Sequence, residues 1–157
     1  MIKFATVNLK EIVTVLKGYS DEYSAFAEPR FGSIVEFSDE LIEMIDSKKK
    51  MTELLKIADE EEIEETQAFL NHRNDFIALS RSVAVDKISV LQEFETAIGN
   101  RKIHDIILAY KKENYSDWDF MCQMNHLGLY DSWCEFEEEF YIKIAKNWCY
   151  ENNLNYD

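Results

Sequence analysis

Apolar residues recur at helical spacing along most of this chain, and the first such run is Leu9, Ile12, Val13 and Leu16. A helix face repeats every three to four residues, so these four predict an amphipathic helix. Asn8-Leu9-Lys10-Glu11 has the form of a capping box at its start, and Gly18 supplies the stop. The period then changes. In EYSAFAEPRFGSIVEFS two alternating or β-branched runs flank Pro29, Arg30, Phe31 and Gly32, which predicts a β-hairpin near residues 22–37. An isolated hairpin is marginal in water, so it must lie on helices or recruit a third strand; FIALS, within residues 75–80, is the candidate.

Ser38 and Asp39 offer a cap for a short helix, ELIEMID, which buries Leu41, Ile42 and Ile45. A longer helix is expected from about Thr52 to Leu70, with DEEEIEE as a solvated acidic face, followed by a polar break at NHRND. From Asp86 onward the pattern is helical throughout. Ile88, Leu91, Phe94 and Ile98 form one stripe ending at Gly99, and Ile103, Ile106, Ile107 and Tyr110 form a second. Ser116-Asp117-Trp118-Asp119 opens a third helix as a capping box with Asp in the Glu position, and Gly128 ends it.

The last helix carries Trp133, Phe136, Phe140, Ile144 and Trp148 at intervals of three or four, which predicts five large side chains on one core-facing stripe. Asp131 or Ser132 can cap it, and Ser132 with Glu135 has the Ser-x-x-Glu form. Glu135, Glu137, Glu138 and Glu139 precede Lys143 and Lys146, an order that opposes the helix dipole and lets Glu139 reach Lys143. The predicted fold is α+β: a mostly helical single domain over residues 1–157, with six or seven helices beside a small antiparallel sheet. No internal repeat and no Pro/Gly/Ser-rich linker divides it.

Charge narrows the function classes. Thirty-one acidic residues against seventeen basic give a net charge of −14, which repels nucleic-acid backbones and anionic membrane surfaces. The Lys48–Lys50 run and the group Arg101, Lys102, Lys111 and Lys112 lack interleaved aromatic platforms and read as helix-surface charge. The four glycines, at 18, 32, 99 and 128, are isolated and form no phosphate-binding loop. No stretch approaches the roughly 18 apolar residues of a membrane span. The start of the chain lacks the apolar core of a signal peptide, so a cytoplasmic location is expected.

Three cysteines leave one unpaired in any intramolecular scheme, and Cys134 and Cys149 would lie about 22 Å apart on one helix, too far to bond. Reduced thiols are expected. Cys122 and His126, at i and i+4, can point a thiolate and an imidazole at one metal, with Cys134 or Cys149 as further ligands. The same pair with nearby carboxylates could serve a hydrolase. Only two ligands are placed by spacing, and buried small cysteines are the plainer reading, so no metal or cofactor is expected. His72 and His104 read as a polar loop residue and a surface helix residue.

The segment GLYDSWCEFEEEFYIKIAKNWCYENNLNY resembles the C-terminal signature of an uncharacterised, mainly bacterial protein family, UPF-zero-one-five-eight. The matching residues are Gly128, Leu129, Trp133, Phe136, Ile144, Ala145, Trp148, Glu151, Asn152 and Leu154. GSIVEFSDE, Gly32 to Glu40, resembles the family's Gly-Glu-Val followed by Ser-Asp-Glu. Cys134 stands where the family usually has Tyr, and Asn153 where Gly is common. WDFMCQM, Trp118 to Met124, replaces a Gly-rich basic segment. Asn tolerates the left-handed conformation that ends a helix, so the Asn153 change is mild. The family has no assigned activity, and these residues are expected to be structural.

Taken together, these features predict a small acidic interaction or regulatory protein without catalysis, whose protein partner and oligomeric state the residues do not name. The alternatives are the Cys122/His126 hydrolase or metal-assisted enzyme, and an acidic mimic of nucleic acid that occupies a basic cleft on a partner.

Overall fold

The computed structural model describes residues 5–18, 22–79 and 86–157 of the chain. The fold is α+β and mostly helical, and the chain packs as two compact units, Met1–Val83 with Ala145–Asp157, and Ala84–Ile144.

The first unit holds the sheet. Helix α1, Leu9–Lys17, buries Leu9, Ile12, Val13 and Leu16 as their spacing requires. The Asn8 carboxamide oxygen accepts from the Lys10 N–H at 2.8 Å and the Glu11 N–H at 3.4 Å. Strands β1, Tyr23–Glu28, and β2, Ser33–Ser38, form the expected hairpin, and β3, Ile77–Leu79, pairs antiparallel with the other side of β1. The order is therefore β2-β1-β3. Ser80, the last residue of the anticipated third strand, lies outside the described residues. The central strand buries the small side chains of Ala25 and Ala27.

Gly32 closes the hairpin with φ +70, and a Cβ there would run into the carbonyl of Thr6. Only glycine meets both demands. Ala5 N–H donates to the Pro29 carbonyl at 2.8 Å. Val7 forms a parallel bridge to Tyr156, donating to Asn155 at 2.9 Å, so the last residues of the unit lie beside the start of α1.

Helix α2, Asp39–Asp46, starts on Ser38, whose hydroxyl accepts from Leu41 N–H at 3.3 Å. The single helix expected from Thr52 to Leu70 is instead two, α3, Met51–Leu54, and α4, Glu60–Asn71. The break has a local cause. Asp59 is extended and its carboxylate accepts from Glu62 N–H at 2.8 Å, which starts a new helix rather than continuing the old one. This division makes eight α-helices among the described residues. Leu41, Leu54 and Ile63 join α2, α3 and α4 in one apolar cluster.

The second unit is helical: α5, Lys87–Ile98; α6, Lys102–Tyr110; α7, Asp117–His126; and α8, Tyr130–Glu151, as far as Ile144. Along α5, Leu91 and Phe94 are buried as expected, but Ile98 is exposed and Val90 is buried in its place. Ser116 and Asp119 form the complete capping box of α7. At the other end of α7, Gly128, at φ +69, lets its N–H reach the Asn125 carbonyl and Leu129 N–H reach the Met124 carbonyl, a Schellman closure.

Trp133 sits edge-on to Phe94 and to Phe120, with ring centroids 5.5 and 5.6 Å apart. Lys87 Nζ lies 4.2 Å from the Phe120 ring centre and 5.2 Å from that of Tyr110, and pairs with Asp117 at 3.5 Å. The ammonium thus keeps a counter-ion while its stem covers aromatic surface.

Helix α8 departs from the single predicted stripe. Trp133 and Trp148 are both buried, but Phe136, Phe140 and Ile144 are only half-buried, and Tyr141, Ala145 and Cys149 are buried instead. A step of four residues overshoots the 3.6-residue turn, so the repeated +4 pattern drifts around the helix and the buried face moves with it. Trp133 belongs to the helical unit and Trp148 to the sheet unit. The helix begins at Tyr130, so Asp131 and Ser132 fall in its first turn rather than capping it.

Candidate functional site

Four features could carry function, each within one unit. On the sheet, alternation sends Phe26 and Phe37 to the face covered by α4. There Phe69, 2% exposed, meets Phe26 at 4.5 Å, Phe37 at 4.4 Å and Phe76 at 4.9 Å between ring centres. The cluster does not close over completely. A groove of about 490 Å³ remains along Val35, Phe37, Phe69 and Phe76, and Glu28, Glu36 and Glu65 line it with Arg30 and His72. Arg30 is held by Asp75 at 3.2 Å, and the His72 ring lies 3.8 Å from the same carboxylate. The unpaired charge of the groove is therefore negative. His72 caps the end of α4, an ordered version of the polar break expected there.

On the opposite side of β2 a second groove, about 800 Å³, runs between Ile34 and Phe31 and the Thr14 and Val15 positions of α1. Phe31, at the hairpin tip, is 71% exposed.

The third feature is acidic. Glu22, Asp39, Glu40, Glu43 and Glu62 line a cavity of about 450 Å³ with Leu41 and Ile57. Ser24 donates its hydroxyl to Asp39 at its edge. Beyond it, Glu60, Glu61, Glu64 and Glu65 stand exposed on α4. Glu60 and Glu61 lie in the first turn of that helix, at its positive end, which offsets part of their mutual repulsion.

The fourth feature holds the sequence-derived chemistry. Cys122 and His126 do line one groove, about 470 Å³, together with Asp105, Lys102, Gln123 and Ile106 of α6 and α7. The other proposed members are elsewhere. Cys134 is exposed on α8, where its hydrogen bond with Tyr130, followed by its charge, holds that phenol above its ordinary value. Cys149 is buried in the sheet unit, and burial pushes its thiol up. Among the described residues no three His, Cys, Asp or Glu side chains are placed to hold a metal ion. All three cysteines are free.

The glutamates of α8 divide. Glu135 and Glu139 are exposed as expected, whereas Glu137 and Glu138 are half-buried. Burial chiefly, then the charges of Asp117 and Glu137, raises Tyr110; Tyr141 is raised by burial, with Glu137 the largest charge contribution. Glu139 and Lys143 form no ion pair among the described residues. His104 is exposed on α6, 3.7 Å from Glu95.

The motif residues of the C-terminal segment have structural positions. Gly128 takes its left-handed turn, Trp133 and Trp148 are buried, Phe136 stacks on Phe140, and Ala145 is fully buried. Glu151 is the last residue of α8, and the Asn152 side-chain amide donates to the Trp148 carbonyl at 2.8 Å. Asn153 has φ +55, and Leu154 N–H returns to the Cys149 carbonyl at 2.8 Å. The groove beside Phe37 escaped sequence reading, because residues 35 and 76 become neighbours only through the sheet.

No helix among the described residues is long and apolar enough to cross a membrane. Comparison of the chain with protein-family models, with curated proteins and with solved structures finds no match.

Proposed function

We propose that this protein is a non-catalytic interaction module that engages a basic protein partner through its α2 and α4 surface. One observation carries this reading. Glu40, Glu43, Glu60, Glu61, Glu64 and Glu65 are exposed on those two helices, and none has an ion pair among the described residues. A surface of unneutralised carboxylates raises the encounter rate with cationic partners and rejects anionic ones. A basic cleft that otherwise holds nucleic acid is one such partner. Such contacts weaken as salt shortens the screening length, about 10 Å at 0.1 M. Affinity capture at stepped ionic strength is the test. Basic partners released by salt are expected; salt-insensitive capture, or reproducible turnover by the purified protein with no partner, would overturn the reading.

A second reading is favoured by the convergence of Cys122, His126 and Asp105 on one groove. A thiol, an imidazole and a carboxylate are the groups a cysteine hydrolase uses as nucleophile, base and orienting group. Ester or amide turnover abolished by Cys122→Ser would support it, and turnover unchanged by that substitution would remove it. Kinship with the UPF-zero-one-five-eight family is likewise proposed, on the Gly128 to Tyr156 motif.

A further inference from the structure

We infer that the outer edge of β2 is a docking edge for an extended basic segment of a partner, which adds to the sheet as a fourth strand. The inference rests on the reading of this protein as an interaction module and assigns that module its contact.

Asp39 N–H donates to the Glu22 carbonyl at 2.9 Å, one step beyond the Tyr23–Ser38 pair. In an antiparallel ladder, pairs that exchange hydrogen bonds alternate with pairs that do not. Ser24–Phe37, Phe26–Val35 and Glu28–Ser33 are therefore the bonded pairs. Ile34, Glu36 and Ser38 turn their N–H and C=O groups away from β1. The Ser38 carbonyl is taken by the first turn of α2, whereas the N–H groups of all three residues and the carbonyls of Ile34 and Glu36 lie outside the β1 ladder. Edge strands are ordinarily blunted by shortness, lysine or proline. The opposite edge, β3, has three described residues; β2 has six, SIVEFS, with neither lysine nor proline.

The surroundings of the edge fit an added strand. Side chains of a strand alternate between faces. One set from an incoming segment would enter the groove of Val35, Phe37 and Phe69 beneath α4, and the other the groove of Ile34 beside Thr14 and Val15 of α1. Glu28, Glu36 and Glu65 border the first groove without ion pairs, whereas Arg30 is already held by Asp75. This favours a cationic segment with an apolar anchor. A second copy would bring another −14 charges to the same edge, which disfavours self-pairing.

The test uses the full chain, isotope-labelled, with the acetylated and amidated peptide GKVKFKVKG as probe. Amide exchange at Ile34, Glu36 and Ser38 is expected to slow, and the resonances of Val35, Phe37, Ala68 and Phe76 to shift. Replacing the Val and Phe residues of the peptide by Ala should weaken binding about tenfold, and methylating those of its backbone nitrogens that face β2 should do the same. Glu36→Pro removes an outward N–H without touching the β1 ladder, so it should bind about tenfold more weakly than Glu36→Ala at similar melting temperature. If that variant fails to fold, the methylated peptide still decides. Salt-sensitive binding that leaves the three amides unprotected would overturn the β2 inference and leave the acidic-surface reading standing. Absence of any binding by the cationic peptide would remove both. Concentration-dependent dimers that protect the same amides without peptide would assign the edge to a second copy and overturn the inference.

Discussion

The ring of Phe37 stacks on that of Phe69, with centroids 4.4 Å apart and planes 17° apart. Phe69 comes from α4 and Phe37 from the edge strand, so this contact joins the helix to the outer strand of the sheet. Phe69→Ala empties a site that touches the rings of Phe26, Phe37 and Phe76 and should cost about 3–5 kcal/mol. Urea unfolding followed by near-ultraviolet circular dichroism will check it; a loss under about 1 kcal/mol would mean that the cluster collapses into the space.

Two backbone substitutions should act in opposite directions. Lys48 ends α2 at φ +58, with Lys48 N–H on Ile45 and Lys49 N–H on Met44, a position that normally takes glycine. Lys48→Gly relieves the left-handed penalty and should stabilise by about 1 kcal/mol. Gly32→Ala, which meets the Thr6 carbonyl at a positive φ, should destabilise by about 1–3 kcal/mol. Melting temperatures of the two variants, compared with the parent, give the signs.

Thiol accessibility separates the three cysteines. Cys122 and Cys134 are exposed and Cys149 is buried with its thiol pushed up by burial. Iodoacetamide should modify Cys122 and Cys134 in the native protein and Cys149 only after denaturation, as peptide mass mapping would show. A raised folded value means that the contribution to stability is full below the ordinary thiol value of about 8.5 and fades as pH rises through the higher folded value. Cys149→Ala should remove that alkaline sensitivity.

Asp119 sets an acid-side limit on the start of α7. The Ser116 backbone N–H at 3.1 Å and hydroxyl at 2.9 Å both donate to its carboxylate and hold it below the usual value. A depressed folded value gives a contribution that is present above the ordinary carboxylate value of about 3.9 and is lost as pH falls through the lower folded one. Amide exchange of the first turn of α7 should therefore accelerate at the acid end of that window. Asp119→Asn should weaken the cap at neutral pH and flatten its dependence on acid.

Local signals were legible wherever a residue acts on its own neighbours. Asn8, Ser38 and Ser116 cap helices because their side chains reach amides two or three residues on, and Gly99 and Gly128 end helices because they accept positive φ. The left-handed Asn153 was legible for the same reason. Asp59 belongs with them, yet the acidic run around it read as one solvated helix face and concealed the cap that divides α3 from α4.

The candidate chemistry was less legible. Spacing alone places Cys122 one turn from His126, but nothing local brings Asp105 to them from another helix, or leaves Cys134 outside their groove. Hydrophobic periodicity marked α8 as amphipathic and could not say where its buried face would turn, because that depends on what packs beside each turn.

Period, caps and turn residues, which act over a few positions, therefore carry the α+β class, the hairpin and nearly every helix boundary of this chain. Long-range packing alone decided that β1 lies between β2 and β3, that Ile34, Glu36 and Ser38 of β2 turn their N–H groups away from β1, and that Phe37 meets Phe69. Such pairings join residues far apart in the chain, and no local pattern encodes which surfaces meet once the apolar faces are buried.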